Sequence, residues 1–241
     1  MELIRGFQHF RPRHRGCVAT IGAFDGVHLG HQAVLRQLIA KGREMGLPST
    51  VVLFEPLPRE FFSPDEAPAR LMSFKEKFIA LRELGIDRVM RIRFTPDFRD
   101  MTANEFIHKL FVAGLGVKYI VVGDDLRFGR NRSGDFDLLR KFGKIDGFEV
   151  VDTSTLEVTG ERVSSTRIRE VLGSADFELA ERLLGRPYSI SGRVIVGQQL
   201  GRTIGTPTAN MELHRLRSPL SGVFAVEVHG ADSVMRPGVA N

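Results

Sequence analysis

The stretch GAFDGVHLGH, Gly22 to His31, decides how this chain folds. An apolar run containing Val18, Ala19 and Ile21 precedes it, and Ala33, Val34, Leu38 and Ile39 follow at helical spacing. A short apolar run reads as a buried strand, and apolar residues recurring three and four apart read as one face of a helix. A strand therefore passes into a helix here, with two imidazoles, His28 and His31, at the junction. Gly30 lets the helix start lie close to a bound phosphate, where free amides and the helix dipole favour negative charge. Imidazoles beside it would donate to phosphate oxygens as charge builds in a transition state. Two other readings remain open: structural or surface histidines, or a zinc site, which needs a third ligand that no telling spacing supplies. Asp25, at the end of the strand, is open three ways: to orient His28, to bind ribose or a magnesium-associated water, or to cap a turn with Gly26.

Working outward, apolar runs alternate with helix-period segments through the first two-thirds of the chain, the pattern of a parallel sheet covered by helices. Strands are expected at Val18–Ala23, Thr50–Phe54, Arg88–Ile92, Val117–Val122 and Phe148–Val151, with a helix over Gln32–Met45 ending near Gly46. Ser73 with Glu76, and Thr102 with Glu105, have capping-box spacing for two more helices, closed by Gly85 and Gly114. After Leu184 the pattern changes to glycines and short alternating runs, including a hairpin-like segment from Gly192 to Gly205 and a strand over Gly222–Val228. That pattern suggests a small barrel or sandwich, and three or four strands in about sixty residues would leave open edges. The expected division is thus 1–184 and 185–241, the second unit being incomplete at Asn241.

The 42% hydrophobic content suffices for a core, and the net charge of +5 attracts polyphosphates, nucleic acid or acidic membranes alike. Nucleic-acid binding is not expected, because the basic run Arg11–Arg15 comes with neither a helix-turn-helix nor paired metal-binding cysteines. The single cysteine, Cys17, allows no intrachain disulfide and fits a reducing compartment. With no signal-peptide pattern and no apolar run of membrane-spanning length, a cytoplasmic protein is expected. The Gly-x-Gly-x-x-Gly and Walker A patterns are both absent, so a nucleotide would have to bind through another device.

Three more segments carry chemistry. VVGDDLRFG (Val121–Gly129), with Arg132 behind it, puts an acidic, glycine-rich loop at the end of a strand, where open parallel sheets bind ligands. A charged surface turn with Phe128 tucked beneath explains that stretch too. In VSSTRIRE (Val163–Glu170), hydroxyls would cap a helix whose free amides and arginines suit an anion. A simple cap with solvated arginines fits equally. In GRTIGTPTAN (Gly201–Asn210), Thr208 and Asn210 offer hard oxygens to magnesium, or form an ordinary proline turn.

In this order the four stretches resemble the bacterial bifunctional riboflavin kinase/FMN adenylyltransferases, over essentially the whole chain. The resemblance implies a Rossmann-like nucleotidylyltransferase sheet with helices on both faces, then a partial β-barrel riboflavin kinase domain. It implies transfer of AMP from ATP to FMN, giving FAD and pyrophosphate, with Mg2+, and riboflavin phosphorylation by the full-length protein. His28, His31, Ser165, Thr166 and Arg169 would be catalytic, and Gly22, Phe24, Asp25, Gly30, His31, Ser165 and Arg167 would bind ATP. Asp124, Asp125, Phe128 and Arg132 would bind flavin, Phe128 against the isoalloxazine ring, and Thr208 and Asn210 would serve the magnesium-ATP of the kinase module. Partners would be small nucleotides and flavins, with no nucleic acid and no membrane. Leu57 departs from the family, which commonly has histidine there, and the kinase catalytic glutamate would lie beyond Asn241, so kinase turnover is not expected of this chain. The alternatives are a nucleotidylyltransferase for another phosphorylated acceptor, or a nucleotide- or nucleic-acid-binding protein that performs no transfer.

Overall fold

The structure is a computed structural model describing residues 1–123, 125–153, 157–158, 161–198, 205, 208–230, 232 and 234–241, with backbone alone at 157, 158, 161 and 162. Six parallel strands form one sheet: β1 (Glu2–Arg5), β2 (Cys17–Ile21), β3 (Ser49–Glu55), β4 (Arg88–Arg93), β5 (Val117–Val122) and β6 (Glu149–Asp152), in the spatial order 1-4-3-2-5-6. Alternation along each strand builds two cores. In β2, Cys17, Ala19 and Ile21 face one layer and Val18 the other; in β5, Ile120 and Val122 oppose Tyr119 and Val121. Both faces are therefore covered, as parallel sheets require.

The first layer is closed by α5 (Ala103–Phe106), by the π-helical segment Ile107–Gly114 that continues it, and by α6 (Phe136–Asp146). The second is closed by α1 (Leu29–Met45) and α3 (Phe74–Glu83), with α2 (Pro58–Phe62) and α4 (Pro96–Arg99) as short turns between strands. A two-stranded ribbon, β7 (Glu157–Val158) with β8 (Glu161–Arg162), precedes α7 (Ser165–Gly173) and α8 (Phe177–Leu184). These two helices share a third cluster with Leu71.

Strand positions match the expected ones to within a residue or two, and both capping boxes form, Ser73 Oγ accepting from the Glu76 amide and Thr102 Oγ1 from that of Glu105. Two differences are structural. The helix after β2 begins at Leu29, three residues before the expected Gln32, because the His28 ring supplies its cap. The expected hairpin within Gly192–Gly205 is instead β9 (Arg193–Ile195) paired antiparallel with β10 (Asn210–Glu212), residues 199–204 lying outside the described ones. The expected strand over Gly222–Val228 is β11 (Phe224–His229), paired antiparallel with β12 (Met235–Ala240).

This order places the active end. From β2 the chain runs outward through β3 and β4, then returns to the other side of β2 for β5 and β6. The loops after β2 and β5 thus diverge at the carboxyl ends of adjacent strands, the crevice where open α/β sheets bind ligands.

Candidate active site

The loop from β2 to α1 holds its shape against backbone preference. Phe24 (φ 46°), Gly26 (φ 88°) and Val27 (φ 42°) all lie at positive φ, a conformation a β-branched residue rarely adopts. Each such non-glycine residue costs about 1–3 kcal/mol and persists only where its surroundings enforce it. Here they do. Phe24 and Val27 are buried in the α1 core, and a Cβ at Gly26 would lie 2.8 Å from Leu71. Arg186 Nη2 donates to the Gly26 carbonyl at 2.6 Å, and Gln32 Nε2 to that of Val27 at 3.0 Å. The wholly buried Lys77 donates from Nζ to the Ala23 carbonyl at 2.6 Å.

The two histidines form a stacked pair, with ring centroids 3.6 Å apart. His28 is the N-cap of α1, its Nδ1 accepting from the His31 amide at 3.3 Å, which leaves its proton on Nε2. Burial pushes the His28 imidazole down to about 4; nearby Arg186 and Arg169 act in the same direction, against Asp25. Burial, with His28 and Lys77 beside it, holds His31 well below the ordinary range. Both rings are therefore neutral near pH 7, and each offers a single N–H donor. A Cβ on Gly30 would come within 3.2 Å of the His28 ring and 3.4 Å of the Val163 carbonyl, so glycine is what lets the histidine pair and the approach to α7 close together.

Asp25 ties the loop to two other segments of the chain. Its carboxylate, 2% exposed, accepts from the Leu71 and Met72 amides at 3.1 Å and from Arg169 Nη2 at 2.6 Å. Its carbonyl accepts from Ser165 Oγ at 2.8 Å. Two segments about 140 residues apart in sequence are thereby joined, and the α7 start faces the histidine loop. Ser164 is the N-cap there, its Oγ accepting from the Arg167 amide at 3.2 Å. Arg169 also donates from Nε to the Ala69 carbonyl at 2.5 Å, so its guanidinium braces the site's wall. Thr166 is exposed at the first turn of α7, and Arg167 lies 3.5 Å from Glu170.

Phe128 is a core residue, 7% exposed, packed on Phe106 at 5.2 Å and paired across a bridge with Gly134. Its ring is covered from below, as the tucked-turn reading had it. Asp125 and Arg132 are exposed on the loop after β5, and Asp124 lies outside the described residues. Gly22 packs against the Phe24 ring. Thr208 and Asn210 are both exposed, Asn210 in β10 opposite Ile195. Among the described residues no group of three or more His, Cys, Asp or Glu side chains is placed to hold a metal ion.

Sequence reasoning missed Lys77, Arg70, Arg186 and an aromatic shelf. Arg70 is buried in ion pairs with Glu55 and Glu60, beside Lys77. At the carboxyl ends of β3 and β4, Phe62 meets Phe61 at 5.3 Å and Phe94 at 5.6 Å, with Phe62 58% exposed. The phenylalanine-rich run FEPLPREFF was the available signal for the shelf; the buried cations gave none, since charged residues on a helix ordinarily read as solvated.

A family model described as FAD synthetase matches residues 10–167, and one described as riboflavin kinase matches residues 184–241. The chain is 54% identical over 241 residues to a bifunctional riboflavin kinase/FMN adenylyltransferase of Pseudomonas fluorescens, all of this chain aligning with 77% of that protein. It is 51% identical over 242 residues to that of Escherichia coli K12, again all of this chain and 77% of the relative, and 47% identical to that of Haemophilus influenzae, all of this chain and 78% of the relative. A crystal structure from Streptococcus pneumoniae, described as a macrolide-efflux protein, superposes with a TM-score of 0.79 at 27% identity, over 99% of this chain and 78% of that one. Among the described residues here, no helix is long and apolar enough to cross a membrane.

Proposed function

The chain belongs to the bifunctional riboflavin kinase/FMN adenylyltransferase family, and from that premise we propose that residues 1–184 transfer AMP from ATP to FMN at the β2–α1 crevice, giving FAD and pyrophosphate. The observation that carries this reading is the junction of Asp25 with Ser165 and Arg169, which sets the histidine pair and the α7 start on one cleft.

A phosphate oxygen of FMN attacks the α-phosphorus of ATP, and pyrophosphate leaves on the opposite side. FMN phosphate is already anionic near pH 7, so no general base is required, and positioning with charge stabilisation carries the rate. His28 Nε2–H and the neutral His31 ring donate to the triphosphate from the α1 start. The free amides of α7 at Ser165 and Thr166 meet it from the other side, with Arg167 beside them. Arg169 acts chiefly through Asp25, keeping the two walls at a fixed separation. The isoalloxazine ring rests on the Phe61–Phe62–Phe94 shelf, with Asp125 and Arg132 on the adjoining loop.

The Asp25 carboxylate already accepts from two amides and an arginine, and among the described residues no cluster of three acidic, cysteine or histidine side chains offers a resident magnesium site. The ion fits better as part of the substrate, held by ATP oxygens, since magnesium retains waters and binds largely through phosphates. In the riboflavin kinase module, residues 185–241, the exposed hydroxyl of Thr208 and carboxamide of Asn210 are hard oxygens suited to the same ion. An ion held there would neutralise phosphate charge.

Incubation with magnesium, with ATP or CTP, and with FMN or other phosphorylated acceptors tests the reading. FAD and pyrophosphate are expected from ATP and FMN, and absence of both from folded protein would refute it. His31→Ala should slow single-turnover FAD formation by about 100-fold, the scale of one lost transition-state donor. Equal turnover would remove His31 from the catalytic set.

A further inference from the structure

We propose that Arg215, on the segment between β10 and β11, is a positioning residue for adenylyl transfer, acting on the nucleotide cleft through the backbone of Leu71. Its side chain, only 1% exposed, leaves its own module and enters the parallel-sheet module. Nη1 donates to the carbonyls of Arg70 and Leu71 at 3.2 and 3.3 Å, and Nη2 to Glu76 Oε2 at 2.7 Å. The Tyr188 hydroxyl, itself 3.3 Å from Nη1, donates to the same Leu71 carbonyl at 3.2 Å.

Leu71 is thus held from both sides. Its carbonyl accepts from Arg215 and Tyr188, while its amide, with that of Met72, donates to the Asp25 carboxylate. Asp25 in turn fixes Arg169 and, through its carbonyl, Ser165. The side chain of Leu71 is fully buried against Val163 and Ile168 and supports Gly26 in the strained loop. One peptide unit therefore connects a guanidinium of the second module to both walls of the cleft. Glu76 completes the clamp, accepting from the Ser73 amide at the α3 start and from the Ser191 amide, each at 2.6 Å. A planar fork is needed to reach two carbonyls and a carboxylate at once, which a lysine ammonium does not reproduce.

This inference rests on the adenylyltransferase reading. Without the fork, the 70–72 backbone shifts by tenths of an ångström, Asp25 follows, and the walls lose register. Such a misplacement lowers turnover far more than ground-state affinity.

The test compares wild-type chain with Arg215→Met, Arg215→Lys and Tyr188→Phe, using single-turnover FAD formation, calorimetric ATP binding and hydrogen exchange at residues 70–72. Arg215→Met should lower the rate about tenfold or more while ATP affinity changes by less than about threefold, with faster exchange of the Leu71 and Met72 amides. Arg215→Lys and Tyr188→Phe should fall between. In Arg215→Ala, whose truncation leaves room for it, millimolar ethylguanidinium should restore part of the lost rate, which a purely structural loss would not allow. Wild-type rates and exchange in Arg215→Met overturn the proposal. Should that variant not fold, unchanged rate and exchange in Arg215→Lys overturn it equally. Lack of FAD formation by the wild-type chain refutes the adenylyltransferase reading instead.

Discussion

His28 and His31 sit where burial and nearby cations keep both rings neutral well below the ordinary histidine range. Around them stand Arg169, Arg186 and Lys77, with Asp25 the nearby carboxylate. Above pH 6.5 neither the folded nor the unfolded chain protonates His28, so folding is indifferent to pH on its account. Between pH 6.5 and about 4 the unfolded imidazole takes a proton that the native one refuses, which stabilises the unfolded state. From a pKa of about 4 against 6.5, His28 alone removes about 3 kcal/mol of stability across that window, and His31 adds in the same direction. Urea midpoints should therefore fall steadily from pH 7 toward pH 4.5, starting above the carboxylate range. His28→Gln should flatten the upper part of that slope, and an identical slope in the variant would show that the histidine is not buried as a neutral ring. Saturating ATP should also shift both imidazoles upward, because a polyanion favours their charged form.

The start of α1 shows the same compromise at the level of an element. Gly30 occupies a position where alanine would be the better helix former by up to about 1 kcal/mol. A Cβ there presses on the His28 ring and on the Val163 carbonyl of the segment leading into α7. Gly30→Ala should leave the melting temperature within about 3 °C of wild type while lowering kcat/KM for ATP about tenfold or more, since the added methyl stands where phosphate must approach. Matched losses in both would mean that the glycine serves packing alone. Elements of this kind were legible because their signals are local: a strand, a glycine-bearing turn and a capped helix follow one another without a break from Cys17 to Met45. Edge strand β1 was not, since four residues with one buried side chain, Ile4, carry no periodicity. Nor were the tasks of Asp25 and Glu76. Asp25 was left open among three roles and Glu76 was read as half of a capping box, and the sequence carried no sign of their pairing with Arg169 and Arg215, about 140 residues away. Phe128 shows the opposite limit. Its loop was placed correctly, but only tertiary packing against Phe106 decides that the ring points into the core.

At the scale of the whole molecule the two modules differ in how they are held. Among the described residues no apolar side chain beyond Leu184 is fully buried, whereas β2, β3 and β5 are lined by residues with no exposure at all. Hydrophobic burial of about 1.5–3 kcal/mol per large side chain therefore accrues to residues 1–184, and β9 to β12 depend on two separate ladders and on the clamp at Arg215. Two-stranded ribbons are marginal on their own, and Pro237 removes one donor from the β11–β12 ladder. Native-state hydrogen exchange should rank the molecule accordingly. Amides of β11 and β12 should exchange through local openings of no more than about 2–3 kcal/mol, those of Leu71 and Met72 should be intermediate, and those of β2 and β5 should exchange only on global unfolding. Magnesium-ATP with FMN should add protection over residues 22–31 and 163–169 and leave 224–240 unchanged. Equal protection of β11–β12 and β2 would mean that the second module has a core of its own, and ligand protection confined to residues 224–240 would move the nucleotide away from the cleft that Asp25 joins.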